Sequence, residues 1–469
     1  MTISAQSSAD EGGWPLLRSE RVWGSWRLAI ALVTASAATW CYLVGEVVGH
    51  YLKFIQGGVA LTAGTMIGMV LVILSAGPTC VRFGIESIAS IKPQFGSRGW
   101  VIPAAFQYIS IVAWNALLLI FFAKSMTQLL TAIGWLPANG PRIVPFTTAF
   151  ACAIVYIVLL WGARGVTRIS SVLVLHVLAG LWMLYMLVSR RWPELIAAQA
   201  ALAHSDRLWN YTTGVEIGIS ACLTWWCYMG AMIRMAPSGR VITMPVMLGM
   251  SVPVFVLSLI GIAGVLILKV SDPSSWLLTV GGPLYGVIAL SFVAAGNFGT
   301  AMVGIYATAA GLRNFRGLQT MPWSVLLLVA IMPIAFVGTL APEWVFEHYG
   351  TLVAFAGVGF APIAGIQIAD YYVLRRRRVD IRAIYDRRAA GKYFYWAGVN
   401  PAAVVAMIAG CATYIYLLNP LTYESHGPFR FLTASLPAVV VAASVFVALT
   451  ILFIVPAKRG AYELGSPLN

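Results

Sequence analysis

Charge is what this sequence has least of. Asp, Glu, Lys and Arg make up 10% of its 469 residues, and hydrophobic residues make up 60%. A soluble domain carries about 25% charged residues. The mean hydropathy of +0.85 therefore excludes a soluble globular protein and points to an integral membrane protein, read by bilayer rules. Histidine occurs five times, scattered, with no HExxH and no pair of carboxylates at mid-depth. That argues against a membrane-embedded enzyme, which needs clustered His, Asp, Glu or Cys, and against a metal site. The six cysteines form no CxxC pair, and five lie in apolar runs. Buried free thiols fit, and a disulfide framework or zinc site does not. Long polar stretches are also missing: the longest connections, 77–100 and 375–399, leave no room for a soluble domain. The first 26 residues show no apolar core or cleavage site and read as a cytoplasmic tail. Acidic residues are scarce, 16 against 30 Lys and Arg, for a formal charge of +14. In a soluble protein that excess would suggest nucleic acid. In a membrane protein its placement matters more.

Twelve segments reach the ~20 apolar residues that a spanning helix needs: roughly 27–52, 57–76, 101–125, 144–162, 168–189, 211–235, 241–268, 284–312, 322–341, 349–374, 400–419 and 434–456. Residues 192–203 are too short to span and are expected along the outer surface. With the N-terminus inside, the inner connections hold 22 Lys and Arg and the outer ones 7. This bias puts both termini in the cytoplasm of a multi-pass protein of the cell membrane, and no nucleic-acid partner is needed to explain it.

Two stretches repeat. Thr39-Trp-Cys-Tyr-Leu-Val-Gly45 lies in the first span and Thr224-Trp-Trp-Cys-Tyr-Met-Gly230 in the sixth, 185 residues apart. A second copy offset by five spans crosses the membrane the other way, as in the inverted repeats of secondary transporters. Coincidence is the alternative, but depth opposes it. Thr39 lies ~16 Å along its span and Thr224 ~20 Å along its own, both near the midplane. The expected layout is a tail at 1–26, five-helix repeats at 27–189 and 190–374, a basic loop at 375–399, two added helices at 400–456 and a tail at 457–469. Gly45 and Gly49 are read as a helix break that frees backbone groups toward a cavity, as are Gly214, Gly218 and Gly230 in the sixth span. Tryptophans well inside the spans (Trp40, Trp114, Trp225) offer flat faces for a planar ring, with Thr39, Tyr42 and Thr224 beside them.

Ionisable residues inside spans are functional hypotheses by default. Glu46 lies ~27 Å along the first span and is read as a vestibule, coupling or gating carboxylate, with simple access to outer water as the alternative. His176 is a second proton carrier candidate, against a packed, hydrogen-bonded histidine. Asp370 precedes the run Arg375–Arg378 and fits a structural or gating ion pair. Gly357 and Gly359, in AGVGFAPIAG, allow the tenth span to bend as a gate, with close helix packing as the alternative.

Residues 363–405, IAGIQIADYYVLRRRRVDIRAIYDRRAAGKYFYWAGVNPAAVV, resemble the signature of the nucleobase:cation symporter-1 family, the cytosine, purine, uracil, thiamine, allantoin and hydantoin permeases. Gly365 to Tyr372 match its Gly-x-x-x-Ala-Asp-Tyr-Tyr helix end, and Tyr393 to Asn400 its Tyr-x-Tyr-Trp-x-Gly-x-Asn segment. Residues 83–99 resemble the connection between its second and third helices. The resemblance covers nearly the whole chain. It implies an all-α polytopic fold of about 12 transmembrane helices, a LeuT-type 5+5 inverted repeat plus two C-terminal helices. It further implies a cation-coupled symporter importing a nucleobase-like heterocycle by alternating access, without a cofactor beyond the coupling H⁺ or Na⁺, and as a monomer. An amino-acid or amine permease of the same superfamily is the alternative. The family's stacking tryptophans fall on Trp114 and Trp225, the latter preceded by Thr224, and a polar residue of its eighth helix falls on Asn297. The match is incomplete: Leu118 and Ala301 stand where the family carries Gln and Asn. Where sodium-coupled members carry hydroxyls this chain has Ala295-Gly296, which favours H⁺ over Na⁺.

Overall fold

The computed structural model describes residues 14–136, 143–162, 164–166, 175–269, 273–386 and 388–462. Among them regular structure is helical apart from two isolated bridges. Without water in the bilayer core, each backbone N–H and C=O must be satisfied within the chain, and helices do this. Helices of eight or more residues are α1 (Ser25–Ser36), α2 (Trp40–Tyr51), α3 (Phe54–Ser75), α4 (Val101–Ala132), α5 (Val144–Leu159), α6 (Leu175–Ala197), α7 (Arg207–Leu223), α8 (Trp226–Ile233), α9 (Thr243–Ala263), α10 (Pro273–Leu312), α11 (Trp323–Leu340), α12 (Tyr349–Ile368), α13 (Pro401–Leu417) and α14 (Ser435–Leu449).

Among the described residues seven helices are long and apolar enough to cross a membrane, or eight with the bent α1–α2 pair taken as one. This is fewer than the twelve expected, for identifiable reasons. α5 and α13 have only 16 and 17 residues. The segment 211–235 is split into α7 and α8. The segment 168–189 begins on residues outside the description. The helix that follows it runs to Ala197 through a kink at Arg191, two residues before Pro193. A second kink, at Gly282 with φ 69°, separates Pro273–Gly281 from the long span of α10.

The helices pair reciprocally. α3 packs along α7, α9 packs along α1 and α2, and α4 packs along α10. The α2–α9 crossing shows why glycine is needed there. A Cβ on Gly45 would lie 1.9 Å from the Ser258 carbonyl oxygen, and one on Gly261 would lie 1.9 Å from that of Tyr42. Close backbone approach through small residues is how helices associate in lipid, where the hydrophobic effect gives little drive. This corrects the expected role of Gly45 and Gly49. Both sit inside the unbroken α2, and the break lies earlier, at Ala37–Thr39, where α1 and α2 meet at 56°.

The stretches that carry the family resemblance assemble at one end of the bundle. Asp370, fully buried in the π turn after α12, pairs with Arg375 at 2.8 Å. It also accepts from Gln94 Nε2 at 2.7 Å and the Tyr462 hydroxyl at 2.9 Å. Arg375 donates to the carbonyls of Pro93 and Gly460 and to the Tyr395 hydroxyl. Burial pushes that phenol up to about 12. Asn400 donates to the Gln94 carbonyl at 2.6 Å. Asp370 is thus the buried ion pair expected from its place before the arginines. A buried pair with its remaining valences hydrogen-bonded fixes geometry more than it adds stability.

Candidate functional site

The two copies of the repeated motif meet mid-bundle, each at a helix break. Thr39 is the residue before α2, and Thr224 and Trp225 separate α7 from α8. A helix start leaves N–H groups without intrahelical partners. At α2 a distant side chain supplies one: Asn297 Oδ1 on α10 accepts the Thr39 N–H at 2.9 Å and the Thr39 hydroxyl at 2.5 Å. At the end of α1, the Thr300 hydroxyl donates to the Ala35 carbonyl at 2.8 Å. Both ends of the broken first span are therefore held by α10. Thr224 behaves differently, since its hydroxyl closes on its own helix at Ala221 O, 2.6 Å away.

Three indoles gather at the breaks. Trp40 lies 6.1 Å from Trp114, edge-on, and 5.9 Å from Trp225, centroid to centroid. All three are buried. The expected pair, Trp114 and Trp225, thus has Trp40 set against both rings, so a ligand held between them must displace or share that ring. Tyr42 is not among the described ring contacts of this cluster. Its carbonyl faces Gly261 on α9. The tyrosine that joins the cluster is Tyr228, 5.0 Å from Trp225.

Trp40 Nε1, Trp114 Nε1 and Asn297 Nδ2 are buried without a hydrogen-bond partner, and all three are donors. Asn115 Oδ1, next to Trp114 in sequence and meeting Tyr228 at Gly304, is a buried acceptor likewise without one. Asn297 Oδ1 is already used by Thr39. Donors at a water-poor site are costly unless a ligand supplies acceptors.

Glu46 lies away from the indoles. It is 7% exposed, accepts from the Tyr349 hydroxyl at 3.1 Å, and has His50 Nε2 3.6 Å away. Tyr349 starts α12, so this carboxylate links α2 to α12 instead of reaching freely into water. Further along α12, Gly357 lies against Ser220 and Tyr414, and Gly359 against the Phe106 ring. The glycines serve close packing in this state of a continuous helix. The His176 side chain lies outside the described residues.

Two buried carboxylates, Glu86 and Glu216, are absent from the sequence-based candidates. Glu216 on α7, 2% exposed, accepts from Ser220 and Ser435 hydroxyls at 2.7 and 2.6 Å and from the Ala434 and Ser435 amides at 3.0 and 2.9 Å. It caps the start of α14 from another helix. Its position inside an apolar span was the available signal. Thr300 was equally missed, because only its fold partner shows that its hydroxyl meets α1.

The family model described as permease for cytosine/purines, uracil, thiamine, allantoin matches residues 15–450. The chain belongs to this family. It is a membrane permease and not an enzyme. Its sequence is 23% identical over 465 residues to the hydantoin permease of Microbacterium maritypicum, covering 92% of this chain and 89% of that one. It is also 23% identical over 416 residues to the purine-uracil permease NCS1 of Arabidopsis thaliana, covering 82% and 68%. Its fold is that of Mhp1, a nucleobase-cation-symport-1 family transporter, in a closed conformation with bromovinylhydantoin bound. The TM-score is 0.77 at 19% identity, over 94% of this chain and 96% of that one. The inward-facing conformation of Mhp1 aligns with a TM-score of 0.75. The architecture is thus all-α and shares the fold of Mhp1.

Proposed function

We propose that this permease imports a small, planar nitrogen heterocycle bearing ring carbonyls, driven by a cation gradient. The observation that carries this is the cluster of Trp40, Trp114 and Trp225 with three unpartnered buried donors. Indole faces suit a flat ring, and N–H groups suit carbonyl acceptors. Uracil, hydantoin and allantoin each carry ring carbonyls that can accept from these donors. Thr39 and Thr224 shape the two helix ends, and Tyr42 supports α2 against α9.

The proposed topology has twelve crossings, with the broken pairs α1–α2 and α7–α8 and the short α5 and α13 each counted as one. The reciprocal packing of α3 on α7 and α9 on α2 supports two inverted five-helix halves. The bias of 22 basic residues against 7 places the Arg375–Arg378 end and both termini in the cytoplasm of a cell-membrane protein. Alternating access turns on the joints at Ala37–Thr39 and Thr224–Trp225. The Glu46–Tyr349 bond serves as the outer latch, and α12 bends at Gly357 and Gly359 to open it.

For the coupling ion we favour H⁺ over Na⁺. Ala295 and Gly296 bring no hydroxyl to the helix break. A hard cation wants about six oxygens. Glu46, with His176, is the proposed proton carrier. The test is uptake into proteoliposomes of labelled uracil, hydantoin, allantoin, hypoxanthine, cytosine and thiamine under separate H⁺ and Na⁺ gradients. Uphill uptake of an oxo heterocycle on a pH gradient is expected. Uptake of none of them on either gradient refutes the importer reading, and uptake on Na⁺ alone refutes the ion assignment.

A further inference from the structure

The exposed apolar side of α3 ends on an arginine. Met66, Val70 and Leu74 are exposed and recur every fourth residue, so they form one stripe along the helix. Ala76 keeps helical angles, φ −78° and ψ −33°, where α3 passes into the short helix Gly77–Phe83. The same spacing therefore continues through Pro78 to Arg82, which is exposed about 12 Å beyond Leu74.

Two cavities flank Arg82 at the Arg375–Arg378 end. The first, about 420 Å³, is walled by Ile73, Gly77 and Val81, by Ile242 just before α9, and by Arg18 and Arg21. Ile73 and Ile242 stand 3.7 and 4.0 Å from the position of a Gly77 Cβ, so the three residues make an apolar floor. The second cavity, about 310 Å³, is walled by Arg82, Arg376, Arg378 and Lys392, with Asp380 among them.

The charge here is of one sign. No carboxylate is among the described residues that line the first cavity. Glu20, beside Arg21 in sequence, accepts the Leu17 N–H at 2.6 Å, and Asp380 in the second cavity is bonded to Lys392 at 2.5 Å. Arg21 is 8% exposed and donates to the Leu16 and Val81 carbonyls at 2.8 and 2.9 Å. Arg82 gives an N–H to the Arg377 carbonyl at 2.7 Å. A guanidinium has five N–H donors, so most of its fork remains for an anion. The same bond holds the turn at Arg376 and Arg377, whose φ values are 47° and 66°. Side chains other than glycine rarely adopt that region, and it persists where the surroundings fix it.

We propose that this corner binds an anionic glycerophospholipid of the inner leaflet. Its phosphate is held by Arg18 and Arg82, its head group reaches toward Arg376, and one acyl chain lies along Met66, Val70 and Leu74. Basic pockets at the cytoplasmic ends of membrane helices bind anionic head groups, and the topology proposed above makes this the cytoplasmic end. Phosphatidylcholine fits less well, because its ammonium would lie among arginines. The apolar stripe that runs into the cavity selects a lipid over free phosphate. The site does not depend on which solute is carried.

The test is native mass spectrometry of the full-length protein, purified in detergent and titrated with phosphatidylglycerol or phosphatidylcholine. Wild type is expected to retain one phosphatidylglycerol at concentrations where phosphatidylcholine is lost. Arg18→Gln/Arg82→Gln should weaken that retention about 30-fold, the worth of two basic residues near an anionic surface, and Arg82→Lys, which keeps the charge, should largely preserve it. Arg316→Gln/Arg382→Gln removes the same charge from exposed positions that line neither cavity and should leave retention unchanged. Equal retention of both lipids, or equal loss in the two double variants, overturns the site. Displacement of phosphatidylglycerol by inorganic phosphate also overturns it, in favour of a free-anion site.

Discussion

Asn297 holds two jobs that substitution can separate. Its Oδ1 takes both hydrogen bonds from Thr39 at the start of α2, and its Nδ2 is unpartnered beside the indoles. Asn297→Ala removes the acceptor and strands the Thr39 N–H in a buried break. An unmade buried bond costs about 1–3 kcal/mol, and loss of a helix cap costs about 1 kcal/mol, so the two overlapping terms predict a loss of about 1–3 kcal/mol. Asn297→Asp keeps the Oδ1 acceptor that both Thr39 bonds use. The helix N-terminus favours its charge by about 0.3–1 kcal/mol, less than the several kcal/mol that burying an unpaired carboxylate costs, so stability should not rise above wild type. The same change deletes the free N–H and turns an oxygen toward the ligand's carbonyl. One lost bond plus one unsatisfied acceptor amounts to about 1.4–3 kcal/mol, or roughly 10- to 150-fold in affinity. Thermal unfolding of the purified protein reports the first effect, and binding of a labelled oxo heterocycle the second. Two results refute the reasoning: an alanine variant as stable as wild type, or an aspartate variant with undiminished affinity.

Other outcomes follow from other contacts. Gly261→Ala puts a methyl 1.9 Å from the Tyr42 carbonyl oxygen. It should abolish folded protein on size-exclusion chromatography, whereas Gly239→Ala, with open space around it, should not. Arg375→Ala strands the buried Asp370 carboxylate and should lower stability by about 3–5 kcal/mol; an unfolding midpoint within a degree of wild type contradicts this. Glu46→Gln should leave substrate binding intact and remove uphill accumulation in proteoliposomes, and wild-type accumulation rejects a coupling role.

Several features were legible before the fold. Low charge and the basic bias give a polytopic membrane protein. Thr39–Tyr42 and Thr224–Tyr228 mark both broken helices, since a repeated polar-aromatic motif at mid-depth has no reason to exist in plain lipid-facing helix. The break position was misread because glycine has two uses in membranes. Gly45 serves close packing, and the break before Thr39 is sustained by an Asn side chain 258 residues away, a pairing that local sequence does not reveal. Thr300 is hidden for the same reason, since its hydroxyl acts on a helix distant in sequence, whereas Glu216, an acidic residue inside an apolar span, was legible. The most family-like stretch, around Asp370 and Asn400, builds the platform at the basic end and stands apart from the indoles.

The central claim is that a flat ring binds among Trp40, Trp114 and Trp225. Its most direct test is the affinity of purified wild type, Trp114→Ala and Trp225→Ala for the labelled oxo heterocycle that wild type accumulates. Loss of a stacking face is worth about 1–3 kcal/mol, so each variant should bind roughly 5- to 150-fold more weakly. Unchanged affinity in both variants, with their folding intact, contradicts the account.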